Sequence, residues 1–219
     1  MKPQGEATGA PRRRLSAGAR RQVILDAALD AFADGGFHET SLDSVASRAG
    51  VSKALIYEHF ESKRELHQAL LEMYVHEMLE RVTGAVAGAG SAEDRLQAGL
   101  EGFLEFVEGS RDAWRMLIRN RANAEVRDFF EQLFDEVAEM VGGLMAGDFP
   151  ESALPEGVEL DVVVEAISRQ LLGSITAIAD WWDENREIPR AQILAMVMEF
   201  AWVGLERASA GDRWEPPAA

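Results

Sequence analysis

Apolar residues recur along this chain at intervals of three and four, the period of an α-helix, from near the N-terminus almost to the C-terminus. Ile24, Ala27, Ala28, Ala31 and Phe32 share one face of a helix predicted from about Ser16 to Asp34, which Gly35-Gly36 should stop. Thr40 with Asp43 makes a capping-box start for a second helix, whose Leu42, Val45, Ala46 and Ala49 again share a face. Gly50 supplies the positive φ of a tight corner, Ser52 caps a third helix, and Val51 can staple onto Ile56. Ser62 and Glu65 form a second capping box. They open a helix carrying Leu66, Ala69, Leu70 and Met73 on one side, which runs to about Val86 before Gly88-Ala89-Gly90.

From Ser91 onward the pattern stays helical. Leu96, Leu100, Phe103 and Val107 make one stripe, Trp114, Leu117 and Ile118 a shorter one, and Val126 to Leu144 a long one. Gly147 to Gly157, with Pro150 and Pro155, reads as a loop. Two further helices are predicted, roughly Leu160–Asn185 and Arg190–Ala208, separated by Ile188-Pro189. No strand pair, hairpin signal or internal repeat competes with this reading. The fold class is therefore all-α, with about nine helices. Residues 1–15 read as a disordered basic arm, 16–62 as a three-helix helix-turn-helix domain, 63–209 as a larger helical domain, and 210–219 as a disordered tail.

Composition narrows the chemistry. The chain has no cysteine, which excludes disulfides, thiolate metal sites and a cysteine nucleophile. No apolar run approaches the roughly 18 residues of a membrane helix, and no apolar segment follows the N-terminal arginines as a secretory signal requires. A cytoplasmic protein with no membrane partner is expected. The net charge of −16 looks unsuited to nucleic acid until it is divided. Residues 1–66 hold ten Lys and Arg against nine Asp and Glu, a balance of +1; the remainder holds 12 against 29, a balance of −17. Only the first segment, led by Arg12-Arg13-Arg14 and Arg20-Arg21, is suited to approach phosphate.

Residues 40–66 are the most informative stretch. Two short amphipathic helices joined at Ala49-Gly50-Val51 can lay one helix in a DNA major groove while the other braces it. The stretch closely resembles the DNA-binding domain of TetR-family transcriptional regulators. The likeness covers VILDAALDAFADGGF, then T-S-L-D-S-V-A, the A-G-V-S-K corner, L-I-Y-E-H-F and E-S-K-R-E-L. A-W-V-G-L in the last helix is similar to the family's common ending of the dimerisation helix.

The resemblance implies roles for particular residues. Thr40, at a helix start, suits a phosphate through its hydroxyl and nearby N–H groups. Ser52, Lys53, Ala54 and Leu55 form the first turn of the recognition helix, and Tyr57 and His59 match the family's phosphate-contacting Tyr-x-His/Tyr pattern. Lys63 matches a lysine that contacts phosphate at the start of the next helix, while Arg20 and Arg21 flank the groove. Ser52 and Thr40 also read as simple caps, and Phe60 and Ile56 as core. The chain departs from the common pattern at Ala54-Leu55, where Gly or Pro followed by Thr or Ala is more usual. Leu55 offers a base edge only apolar contact.

The same resemblance implies that the last two helices pair with those of a second subunit. Leu171, Leu172, Ile175, Trp182, Val197, Phe200, Ala201 and Gly204 are the interface candidates, on helices apolar around much of their circumference. The middle helices would enclose a small-molecule inducer among Phe103, Phe106, Trp114, Leu117, Phe130, Phe134, Met140 and Ile178, with Arg119 or Asn123 as polar contacts. Each of these also fits an ordinary helix core. The expected partners are double-stranded palindromic operator DNA, a second copy of the chain, and an inducer that releases a repressor. No cofactor is expected. Two alternatives stand: the same fold without small-molecule control, or an all-α metal-dependent enzyme using His76 with Glu72 and Glu80.

Overall fold

A computed structural model describes residues 16–119, 131, 135, 138, 142 and 157–209. Every regular element among them is a helix. There are eight: α1 Ala17–Glu39, α2 Leu42–Ala49, α3 Lys53–Tyr57, α4 Lys63–Val86, α5 Ala92–Gly109, α6 Arg111–Arg119, α7 Leu160–Glu184 and α8 Arg190–Ser209. The fold is all-α, a helix-turn-helix unit followed by a larger helical one, as the periodicity predicts. The Val126–Leu144 stripe, which accounts for the expected ninth helix, lies outside the described residues except at Glu131, Asp135, Ala138 and Gly142, all helical. So do the N-terminal arm, the C-terminal tail and the inter-helix loop as far as residue 156. Phe130, Phe134, Met140 and Asn123 are likewise outside.

Contacts divide the chain into two compact units after His67, one turn inside α4. In the first, α1 packs on α2 and α2 on α3. Its core is Ile24, Leu25, Ala28, Phe32, Val45, Ile56 and Phe60, all buried. The predicted end of α1 needs correction. Gly36 adopts φ 70° and ψ 177°, so the helix breaks there and then resumes to Glu39 rather than stopping at Gly35-Gly36. Only glycine enters that backbone region without strain.

The start of α2 also differs from expectation. Its N-cap is Ser41, whose Oγ accepts from the Ser44 N–H at 3.1 Å while Ser44 Oγ accepts from the Ser41 N–H at 3.2 Å. Thr40 instead closes α1: its buried hydroxyl lies 2.9 Å from the Ala31 carbonyl and 2.8 Å from that of Gly36. At α4 the Ser62 half of the predicted box forms, Glu65 N–H donating to Ser62 Oγ at 3.1 Å. The Glu65 carboxylate accepts from the Glu61 N–H instead of that of Ser62.

In the second unit α5 packs chiefly on α8, and also on α6 and α7, while α7 meets α6 and α8. A Ser91–Asp94 capping box starts α5. Where α5 crosses α4, a Cβ on Gly102 would stand 3.0 Å from the Arg81 carbonyl oxygen, so the crossing depends on a missing side chain. In α7, Val164, Ser168, Leu171, Ile175, Ala179 and Trp182 are buried at spacings of three and four, one continuous core stripe. Trp182 is fully enclosed; its indole N–H donates to the Ile188 carbonyl at 2.8 Å and the Arg111 guanidinium lies 5.3 Å from its ring.

Two expectations bear on these helices. By length and composition α7 could cross a membrane, with a mean hydropathy of 1.4 over 18 residues, although no uninterrupted apolar run announces it. Its buried heptad stripe is that of a core helix. The interface candidates also divide. Leu171, Ile175, Trp182 and Val197 are buried within the protomer, because they form the stripe that α7 and α8 turn toward their own core. Leu172 and Ala201 are half-buried, Gly204 is exposed, and Phe200 is 78% exposed.

The α4–α5 crossing gives a test of packing. Gly102→Val should lower stability in urea by about 1–3 kcal/mol through overpacking against backbone. Gly84→Ala, with nothing within 4 Å, should raise it by up to about 1 kcal/mol.

Candidate nucleic-acid interface

The corner between α2 and α3 is built by Gly50, at φ 63° and ψ 32° in the left-handed region that glycine enters at little cost. Its N–H reaches the Ala46 and Ser47 carbonyls, and the Val51 N–H donates to Ala46 O at 3.0 Å. The chain then re-enters a helix at Ser52, whose Oγ accepts from the Leu55 N–H at 3.2 Å. Ile56 and Phe60 anchor this short α3 from below, both buried. What remains outward is its first turn and one ring: Ser52, Lys53 and Ala54 are exposed, Leu55 is half-buried, and Tyr57 is 51% exposed. A rigidly anchored helix with small and polar residues on its outer side is what entry into a major groove requires.

The charged groups are less available than the sequence implies. Lys53 Nζ lies 2.7 Å from Asp43 Oδ2 on α2, and that hydrogen bond holds its pKa above the ordinary lysine value. Arg48 pairs with Asp34 at 2.9 Å. The Arg21 guanidinium, on an exposed residue, stands 5.0 Å from the Phe60 ring centroid. Arg20 is half-buried, with its Nε enclosed and lacking an acceptor.

Three expected DNA contacts are partly or wholly enclosed within the unit. Thr40 spends its hydroxyl on the end of α1, because that helix breaks at Gly36 and leaves carbonyls to satisfy. His59 is half-buried and its Nε2 is enclosed without a hydrogen-bond partner. Lys63 Nζ donates to Phe37 O at 2.7 Å, Thr40 O at 3.0 Å and His38 O at 3.4 Å, and stands 4.4 Å from the Phe37 ring centroid. Asp43 as the partner of Lys53, and Phe37 as the seat of Lys63, escape sequence reading. The Thr40–Asp43 and Ser41–Ser44 capping patterns are offset by a single residue, so the signal for Ser41 was present but ambiguous.

The expected inducer residues that are described lie in α5, α6 and α7. Phe106, Trp114 and Leu117 are buried, Phe103 and Ile178 half-buried, and Arg119 exposed. Phe103 meets Trp114 edge to face at 5.4 Å between centroids, and the buried Trp114 Nε1 has no acceptor. A separate open cleft of about 290 Å³ follows another face of α7, lined by Arg169, Leu172, Gly173, Thr176, Ala177 and Asp180 with Ile118 of α6. None of the expected inducer residues that are described lines it. Among the described residues no three His, Asp or Glu side chains gather as a metal site. His76 Nε2 lies 3.2 Å from Glu80 on an exposed face.

A buried-core helix-turn-helix presenting one helical turn, joined to a larger helical unit, defines a DNA-binding transcriptional regulator. Residues 24–70 match the family described as bacterial regulatory proteins, tetR family, and residues 92–204 match the tetracyclin repressor-like C-terminal domain. The chain belongs to the TetR family of transcriptional regulators, whose members are regulators rather than enzymes. It is 29% identical over 198 residues to the HTH-type transcriptional activator FasR of Mycolicibacterium smegmatis, covering 88% of this chain and 85% of that protein. A fatty acid metabolism regulator protein of Bacillus subtilis is 21% identical, over 74% of this chain and 82% of its own length. The crystal structure of a TetR-like transcriptional regulator from a Rhodococcus species superposes with a TM-score of 0.73 at 31% identity, covering 88% of this chain and 99% of that one.

The exposed first turn of α3 and the buried histidine of α4 each give a test. Lys53→Ala should weaken DNA binding and reduce the slope of log K against log salt by about 0.9, the value for one lost phosphate contact, measurable by fluorescence anisotropy. His67 is 2% exposed and set edge-on to Phe32 and Phe37 at 4.7 and 4.9 Å. Desolvation, and then the Lys63 charge, lower its pKa from 6.5 to about 4. The Lys63 ammonium lies over the Phe37 ring, and the His38 ring stands edge-on to it. The folded state therefore excludes a proton that the unfolded state accepts. This contribution, on the order of 3 kcal/mol at most, is complete above about pH 6.5 and lost as pH falls toward 4. His67→Leu should flatten the fall in melting temperature between pH 7 and 5.

Proposed function

We propose that this chain is a ligand-responsive regulator that binds a palindromic operator as a homodimer. The observation that carries the reading is the anchored α3, whose exposed first turn and Tyr57 face outward from a corner fixed by Gly50. Two such helices, one per subunit, would enter successive major grooves about 34–36 Å apart. The pairing surface would be the outer side of α7 and α8, where Trp181, Met196, Phe200 and Val203 are large, apolar and exposed. Leu172, Ala201 and Gly204 remain candidates for it; the buried Leu171, Ile175, Trp182 and Val197 support it from beneath.

The effector would be a lipophilic molecule carrying a hydrogen-bond acceptor. Trp114 supports this, since a buried indole N–H without a partner costs about 1–3 kcal/mol that an acceptor would recover. The name of the Bacillus subtilis relative, a fatty acid metabolism regulator, favours an acyl chain. Binding would move α4, whose single helix begins in the DNA-binding unit and continues into the second. Release of a repressor is the primary reading. The relative from Mycolicibacterium smegmatis is named an activator, and that favours a second in which the bound regulator recruits transcription.

Gel-shift titration with the DNA upstream of the chain's own gene tests the core of this reading; no shift at low salt would sink it. Phe200→Asp should convert a dimer to a monomer in light scattering and weaken operator binding at least tenfold. Trp114→Phe should reduce the release of DNA by long-chain acyl compounds, with DNA affinity unchanged in their absence.

A further inference from the structure

Lys63 stands where a phosphate-binding lysine is expected at the start of α4. Its surroundings assign its ammonium to another task. An ammonium has three donors, and all three point at carbonyl oxygens: Phe37 at 2.7 Å, Thr40 at 3.0 Å and His38 at 3.4 Å. The Phe37 ring takes up the charge from one side at 4.4 Å, and the residue is half-buried. One turn later on the same helix, His67 packs its edge on that ring and on Phe32.

The acceptors are not incidental. They belong to the segment in which α1 breaks at Gly36, resumes briefly and hands over to α2. Two of the three carbonyls, Phe37 and His38, lie past the break, and the third belongs to Thr40, immediately before the α2 cap Ser41. Thr40 holds the same joint from inside, through Ala31 and Gly36. An ammonium can converge on carbonyls arranged around it, whereas the planar guanidinium fork of arginine is matched to paired oxygens.

We propose that Lys63 is a positioning residue for DNA recognition: it clasps the α1–α2 joint through backbone carbonyls and so sets where α2, and the α3 corner that follows it, present themselves. It does not bind phosphate. The inference rests on the family's DNA-binding activity, and its test separates the two. A phosphate contact and a clasp differ in salt dependence, because only the former releases a counterion when it forms.

The test measures binding of the full-length protein to the DNA upstream of its gene, across a salt series, for wild type, Lys63→Met, Lys63→Arg and Phe37→Leu. Hydrogen exchange on the same proteins without DNA provides the second readout. The clasp predicts that Lys63→Met weakens binding about tenfold at every salt concentration with the slope unchanged. Lys63→Arg, though still charged, fails to restore it, and Phe37→Leu shifts binding in the same direction. In the free protein, protection of the Thr40, Ser44 and Val45 amides, all in the first unit, falls in Lys63→Met while the second unit is unaffected. A slope reduced by about 0.9 in Lys63→Met, with full recovery in Lys63→Arg, would overturn the proposal, as would unchanged affinity or unchanged protection. If wild-type protein fails to bind this DNA, the operator assignment fails, and the exchange measurement alone still decides the clasp.

Discussion

The end of α1 imposes the constraint on which the recognition unit depends. Helix termini leave carbonyls without intrahelical partners, and a break at Gly36 adds to them. Thr40 and Lys63 resolve this from opposite sides, one with a buried hydroxyl and the other with a half-buried ammonium. Thr40 caps α1 and Lys63 opens α4, so satisfying these carbonyls also ties the α1–α2 joint to the first turn of α4. Phe37 supports the second, because its ring lies beside the ammonium and packs against His67 on the same helix. The segment that leads to Ser52, Lys53 and Tyr57 is thus held partly by groups spent on backbone carbonyls.

How much of this was legible in the sequence depends on range. The helices themselves were, because their inner faces repeat every three or four residues and their caps are local. The Gly50 corner and the Ser52 cap needed only five consecutive residues, and the structure has both as read. Lys63 was not legible as a clasp: its nearest acceptor is 26 residues away in sequence, and a lysine at a helix start reads the same whether it meets carbonyl or phosphate. Thr40 was obscured by Ser41, since both can cap and only the break at Gly36 decides between them. Trp182 and Leu171 show a third limit. On a helix apolar around most of its circumference, hydrophobicity identifies residues that avoid water without saying which stripe faces the protomer's own core.

That limit also accounts for the two-sided character of α7 and α8. The buried stripe of α7 satisfies the protomer, yet only 28% of its most apolar window is buried. On α8 the large side chains of Met196, Phe200 and Val203 stand in solvent while Ile193 and Val197 are enclosed. An isolated apolar side chain at a surface needs no explanation, but several on adjoining turns of one helix are costly to leave hydrated.

Charge is partitioned along the chain, and the ion pairs indicate how. In the second unit Asp183, mostly buried, gathers Arg111, Arg115 and Arg186; Arg190 reaches Glu105 and Glu108; Arg169 reaches Asp135 and Glu165. Arginine there is used to tie helices together, with the Asp183 hydrogen bond holding the Arg115 pKa above its ordinary value. Each such pair offsets a cation with a carboxylate and leaves the acidic excess uncompensated. The unit's charge of −17 therefore acts as repulsion toward phosphate. At physiological salt that repulsion decays over about 8 Å, so it penalises close approach of this unit to a duplex without opposing contacts made at the first. A regulator with a near-neutral reading head gains orientation from this arrangement. Non-specific adhesion through the body is disfavoured by that repulsion.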